Sequence, residues 1–96
     1  MPKQIKITYL KKAAKFLKKN QDSITEDTVD NLIILTIKKK VFALDVNIDV
    51  KELKGELKGK YRIRKGKIRI IIEIKQDEVI IQSIVEDIDF RGNIYK

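Results

Sequence analysis

The sequence contains neither cysteine nor histidine. The first absence excludes disulfides, thiol nucleophiles and zinc–thiolate centres, and the second removes the commonest general base and metal ligand. Tryptophan is missing too, and proline occurs once. No apolar run approaches the roughly 18 residues of a membrane span. The N-terminal stretch MPKQIKITYLKKAAKF carries no secretory signal core. These absences predict a cytoplasmic protein with no membrane partner, whose chemistry must come from Lys, Arg, Tyr, Ser, Thr or carboxylates. With 96 residues, residues 1–96 form one domain whose core hides about 60 to 65% of the unfolded surface. A composition of 43% hydrophobic and 38% charged residues is globular, not disordered.

Acidic residues are outnumbered, 14 against 22 basic ones, leaving a net charge of +8 that favours an anionic partner. The excess is uneven: residues 1–20 carry +7, 21–50 carry −3, 51–69 carry +7 and 70–96 carry −3. The denser basic block, 51–69, is the expected anion-facing region. Arginine is rare beside lysine, four against eighteen, yet Arg62, Arg64 and Arg69 fall within eight residues, with Arg91 the fourth. A planar guanidinium grips phosphate oxygens at two points, which an ammonium cannot do.

Alternation in KQIKITY predicts a short strand over 3–9. Leu10, Ala13, Ala14 and Leu17 then follow helical spacing, with Lys11, Lys12, Lys15, Lys18 and Lys19 on a basic, solvated face. Ser23 and Glu26 have capping-box spacing and predict a second helix, striped by Val29, Leu32, Ile33 and Ile37. The run NLIILTI is β-rich, so a strand competes for 32–37. Residues 41–50 alternate as an extended segment or edge strand. Asp45, Asn47, Asp49 and Glu56 have calcium-loop spacing, but Val50 stands where the loop needs glycine, which argues against a metal site. ELKG occurs twice over 52–59 as a basic loop. A hairpin follows: Tyr61 to Arg64, a Lys65-Gly66 turn, and Lys67 to Lys75. Val79 to Val85 is the last strand. Pleat parity then predicts that Ile63, Ile68, Ile70, Ile72 and Ile74 face the helices while Arg62, Arg64, Lys67, Arg69 and Glu73 share an open opposite face.

The run LKGELKGKYRIRKGKIRIIIEI, Leu53 to Ile74, together with the ending Arg-x-x-x-Tyr at Arg91 to Tyr95, resembles the RelE/ParE superfamily of type II toxin–antitoxin toxins. The core of the resemblance covers residues 51–96. It implies an α+β fold: an N-terminal helical hairpin packed on one face of a mostly antiparallel sheet of about four strands, the RelE-like fold. It implies a toxin acting as a metal-independent endoribonuclease, an mRNA interferase that cuts messenger RNA on the ribosome without a cofactor. The alternatives are a ParE-like DNA gyrase inhibitor or a non-catalytic basic nucleic-acid-binding module. The partners implied are mRNA, the ribosome and a cognate antitoxin with an acidic or amphipathic segment, joined in a heteromeric complex.

Carried over by position, the catalytic candidates are Arg62, Arg64, Arg69, Arg91 and Tyr95. Lys54, Lys58, Lys60, Lys65 and Lys67 are expected to hold the RNA backbone by charge. Two departures stand out: Phe90 replaces the histidine or polar residue of many relatives, and the sequence ends one residue after Tyr95. In RNA self-cleavage the 2′-oxygen attacks the neighbouring phosphorus, and arginines neutralise the resulting phosphorane. Tyr95 is the proton carrier that the resemblance offers, although a phenol with a pKa of about 10 is mostly protonated at neutral pH.

Overall fold

The computed structural model describes residues 4–55 and 59–90. Its elements run β1 (Gln4–Tyr9), α1 (Lys11–Lys19), α2 (Glu26–Lys40), β2 (Val50–Glu52), β3 (Lys60–Lys65), β4 (Ile68–Gln76) and β5 (Ile80–Phe90). The sheet has five strands in the order β1-β5-β4-β3-β2. The pairs β2/β3, β3/β4 and β4/β5 are antiparallel, whereas β1 pairs parallel with β5. The fold is therefore α+β as expected, with one more strand than about four and a mixed sheet.

The helix stripe explains α2. Val29, Leu32, Ile33, Thr36 and Ile37 recur at i, i+3, i+4, i+7 and i+8, so all five fall on one face, and all are buried. That periodicity overrides the β-rich composition of 32–37. Thr36 satisfies its buried hydroxyl by donating to the Leu32 carbonyl at 2.8 Å. The stripe packs on Ile63, Ile70, Ile72, Ile81, Val85 and Ile88 of the sheet. Each such fully buried side chain contributes about 1.5–3 kcal/mol.

Several local expectations are corrected. The Ser23–Glu26 capping box does not form: α2 starts at Glu26, and Thr25 is the cap, accepting from the Thr28 N–H at 3.3 Å. In α1 the buried residues are Ala13 and Leu17, while Leu10 and Ala14 are exposed. The helix pair does not open the fold, because β1 precedes it. α1 runs alongside the second half of β5, where the Leu10 N–H bonds the Val85 carbonyl and the Phe16 ring meets Phe90 edge-on at 5.3 Å. Residues 42–49 are irregular, leaving only Val50–Glu52 as an edge strand, and Phe42 and Leu44 are exposed. The alternation is realised only toward its end, where Val46, Ile48 and Val50 are half-buried and Ile48 and Val50 pack against the core. The hairpin turn is Gly66-Lys67, with Gly66 at φ +58°, a left-handed geometry that two-residue hairpin loops favour. β5 extends beyond Val85 to Phe90.

At the end of α2 the Leu44 N–H reaches back to the Lys38 carbonyl at 2.9 Å, and Ala43 takes φ +56°. This left-handed position after a helix favours glycine, because a Cβ crowds the following carbonyl. Ala43→Gly is expected to raise stability by up to about 1 kcal/mol, measured by denaturant unfolding. Tyr9 donates a short hydrogen bond to Asp30 Oδ1, and burial first, then Asp30, pushes its pKa well above the ordinary value. The protonated phenol is thus favoured on folding, so its contribution is complete below about pH 10 and is lost as pH rises above that. Above about pH 10 the wild type should lose stability more steeply than Tyr9→Phe, a difference readable from unfolding midpoints against pH.

Candidate functional site

Strand pairing decides which side chains share a face. Arg64 stands directly opposite Arg69, Arg62 opposite Ile71, and Lys60 opposite Glu73. Ile63 pairs with Ile70 and Tyr61 with Ile72 on the helix-covered side. The three arginines therefore share the sheet face turned away from α2, as alternation predicts. Lys51, opposite Arg62 on β2, is aligned with them.

That face is not the open platform expected. Arg62 and Arg69 are only 8% and 6% exposed. Acids interleave with the cations: Asp89 stands directly opposite Arg69, and neither of these two is free of partners. Asp49 Oδ1 lies 3.7 Å from Arg62 Nη2, a loose pair in which the carboxylate stays 58% exposed. The Arg64 N–H also donates to the Asp49 carbonyl at 3.0 Å, tying the segment before β2 to the arginine strand. Yet the Nε of Arg62 and the Nε of Arg64 are buried and meet no acceptor among the described residues. A buried donor left without an acceptor costs about 1–3 kcal/mol. An oxyanion with several lone pairs, such as a phosphodiester, relieves that cost and the repulsion of opposed Arg64 and Arg69 together.

The lysines behave less uniformly. Lys60 lies on the arginine face but pairs with Glu86 at 3.0 Å, and that hydrogen bond raises its pKa above the usual lysine range. Its charge is already matched. Lys54 is exposed in the loop after β2. Lys65 is opposite Ile68 and so belongs to the helix side by parity; Lys67 sits in the turn instead of on the arginine face. Both line a shallow depression with Ser23, Gly66, Ile68 and Phe90. Lys58, Arg91 and Tyr95 lie outside the described residues.

Phe90 stands opposite Ile68 and packs on Phe16, so this position points toward the helices and away from the arginines. A histidine there would not reach them along this register. The residues that do join the arginine face from β5 are Asp87 and Asp89, with Glu86 paired to Lys60. The sequence reading missed all three because alternation breaks after Val85. Of the described tyrosines, Tyr61 shares the helix-side row with Ile72, and burial ahead of Glu52 raises its pKa. Neither Tyr9 nor Tyr61 is thus prepared to act as a base on the arginine face.

No protein-family model matches the sequence, and no curated protein does. Solved structures do. A copper-bound mutant toxin from Helicobacter pylori is 24% identical, with a TM-score of 0.64, over 93% of this chain and 97% of the other. YafQ from E. coli is 17% identical with a TM-score of 0.60, over 97% and 100%. A chain of the RelB–RelE antitoxin–toxin complex from Methanococcus jannaschii is 21% identical with a TM-score of 0.54, over 92% and 94%. Likeness at these identities, over more than nine-tenths of both chains, shows a shared architecture: the chain has the fold seen in these toxin structures.

Proposed function

We propose that the chain is the toxin of a type II toxin–antitoxin pair and acts as a metal-independent endoribonuclease on messenger RNA at the ribosome. The observation that carries this reading is the buried pair of Nε–H donors on Arg62 and Arg64, lacking acceptors, beside Arg69 on one sheet face. Such donors suit a phosphate that gains charge as it becomes a phosphorane. Arg69, opposite Arg64, grips the scissile phosphate with Arg62 and Arg64, and Arg91 and Tyr95 act from the C-terminal residues. The fold shared with toxins, one of them solved with its antitoxin, supports a cognate antitoxin as partner.

Lys54 in the loop after β2, Lys65 at the end of β3 and Lys67 in the hairpin turn form a basic rim, and Lys58, outside the described residues, is given the same role from the sequence alone. They contact RNA or ribosomal backbone by charge alone, and their contribution falls with salt. Lys60 contributes less, because Glu86 already occupies it.

With purified protein and mRNA-programmed ribosomes, Arg69→Ala is expected to lower the cleavage rate by about 10²- to 10³-fold. Arg62→Lys, which keeps the charge but loses the planar fork, should lose at least about tenfold. Full cleavage by both variants, or inhibition of DNA supercoiling in place of cleavage, rejects the reading. Neutralising Lys54, Lys65 and Lys67 together should weaken ribosome binding and flatten its salt dependence, with little effect on the rate at saturation.

A further inference from the structure

β5 is irregular at one point, and the irregularity brings a carboxylate to the arginine face. Ile81 and Val85 are fully buried in the core, and Ile88 is 1% exposed. Strict alternation from Val85 would turn Asp87 inward and Ile88 outward. A β-bulge prevents this: Ile72 pairs with Val85 but Ile71 pairs with Asp87, so Glu86 is the extra residue. The insertion returns Ile88 to the core and places Glu86 and Asp87 side by side on the arginine face. Bulges often re-aim a side chain beside a functional site.

Asp87 differs from the other acids on that face. Glu86 is paired with Lys60 at 3.0 Å and Glu73 with Lys75 at 3.7 Å, while Asp89 Oδ1 accepts from the Phe90 N–H at 2.8 Å. Asp87 is held through one oxygen only: Lys12 of α1 bonds Oδ2 at 3.2 Å, and Oδ1 is buried with no hydrogen-bond partner among the described residues. It lies two residues along β5 from Asp89, which is opposite Arg69. An anchored carboxylate with one oxygen left without a partner, on the same sheet face as the arginines, is suited to accept a proton.

Building on the endoribonuclease reading, we propose that Asp87 is a catalytic residue whose Oδ1 takes the proton of the substrate's 2′-hydroxyl while the arginines hold the adjacent phosphate. As that proton moves to Oδ1, the 2′-oxygen bonds phosphorus and the bond from phosphorus to the 5′-oxygen breaks. The departing 5′-oxygen takes a proton from water, and the hydroxide so formed recovers the proton from Asp87. The products are a 2′,3′-cyclic phosphate and a 5′-hydroxyl, and the carboxylate is regenerated. Lys12 is a positioning residue: it fixes Oδ2 from α1 and leaves Oδ1 without a partner.

The test compares wild type, Asp87→Asn and Asp87→Ala on mRNA-programmed ribosomes in single-turnover assays, with thermal melting of each protein. Asp87→Asn should lower the saturated rate by about 100-fold or more and leave ribosome binding equal or tighter, since a negative charge beside the arginines is gone. Added formate should restore part of the Asp87→Ala rate and none of the Arg69→Ala rate. Undiminished cleavage by Asp87→Asn overturns the assignment while the nuclease reading stands. A loss that tracks a lowered melting temperature and resists formate overturns it too, making Asp87 a structural counter-ion. Wild-type protein that cuts nothing, even at saturation, overturns both.

Discussion

The pairing of β4 with its two neighbours is the constraint on which the rest of the molecule depends. β4 is the central strand, and along it isoleucines at 68, 70 and 72 face the helices while Arg69, Ile71 and Glu73 face the other way. The apolar row is buried against α2, and displacing the register by one residue would exchange the two rows. Hydrophobic burial on one side thus dictates the chemistry presented on the other. Arg64 on β3 and Asp89 on β5 are brought to Arg69 by that same pairing.

The arginine face is electrostatically composite. Cations from β3 and β4 meet carboxylates from β5 and from the segment before β2, and most of these charges are matched locally. Partial matching keeps buried guanidinium groups tolerable without filling every donor. The Asp49 pair with Arg62 is long and its carboxylate remains largely in water, where such contacts contribute little. A phosphate can therefore compete with it. Helix α1 takes part as well, because Lys12 reaches Asp87 across the sheet edge. Local charge balance, more than the net +8, defines the character of this surface.

Legibility in the sequence followed the regularity of each element. The alternation of Arg62, Ile63 and Arg64, and that of Ile68 to Ile74, was readable because a strand with one buried face repeats every two residues. The stripe from Val29 to Ile37 was readable for the corresponding helical reason, despite its β-branched composition. Residues 41–50 alternate equally well, but Phe42 and Leu44 are exposed and only Val46, Ile48 and Val50 are half-buried, so the segment becomes a strand only at Val50. The cap is Thr25 and not Ser23: a threonine hydroxyl caps as a serine does, and Thr25 immediately precedes the first turn and accepts from the Thr28 N–H. Burial of Arg62 and Arg69 was invisible, since composition reports a charge without its surroundings.

What the sequence by itself determined is the two-faced hairpin: period-two placement of isoleucine and arginine puts three guanidinium groups on one side wherever the other side is covered. Only the tertiary structure decided how exposed those groups are and which carboxylates accompany them. The reason is the single-residue bulge at Glu86, which becomes apparent through pairing with Ile71 and Ile72, twelve or more residues away in the chain. Local pattern can state that alternation fails after Val85, but the direction in which Asp87 then points is set by the neighbouring strand.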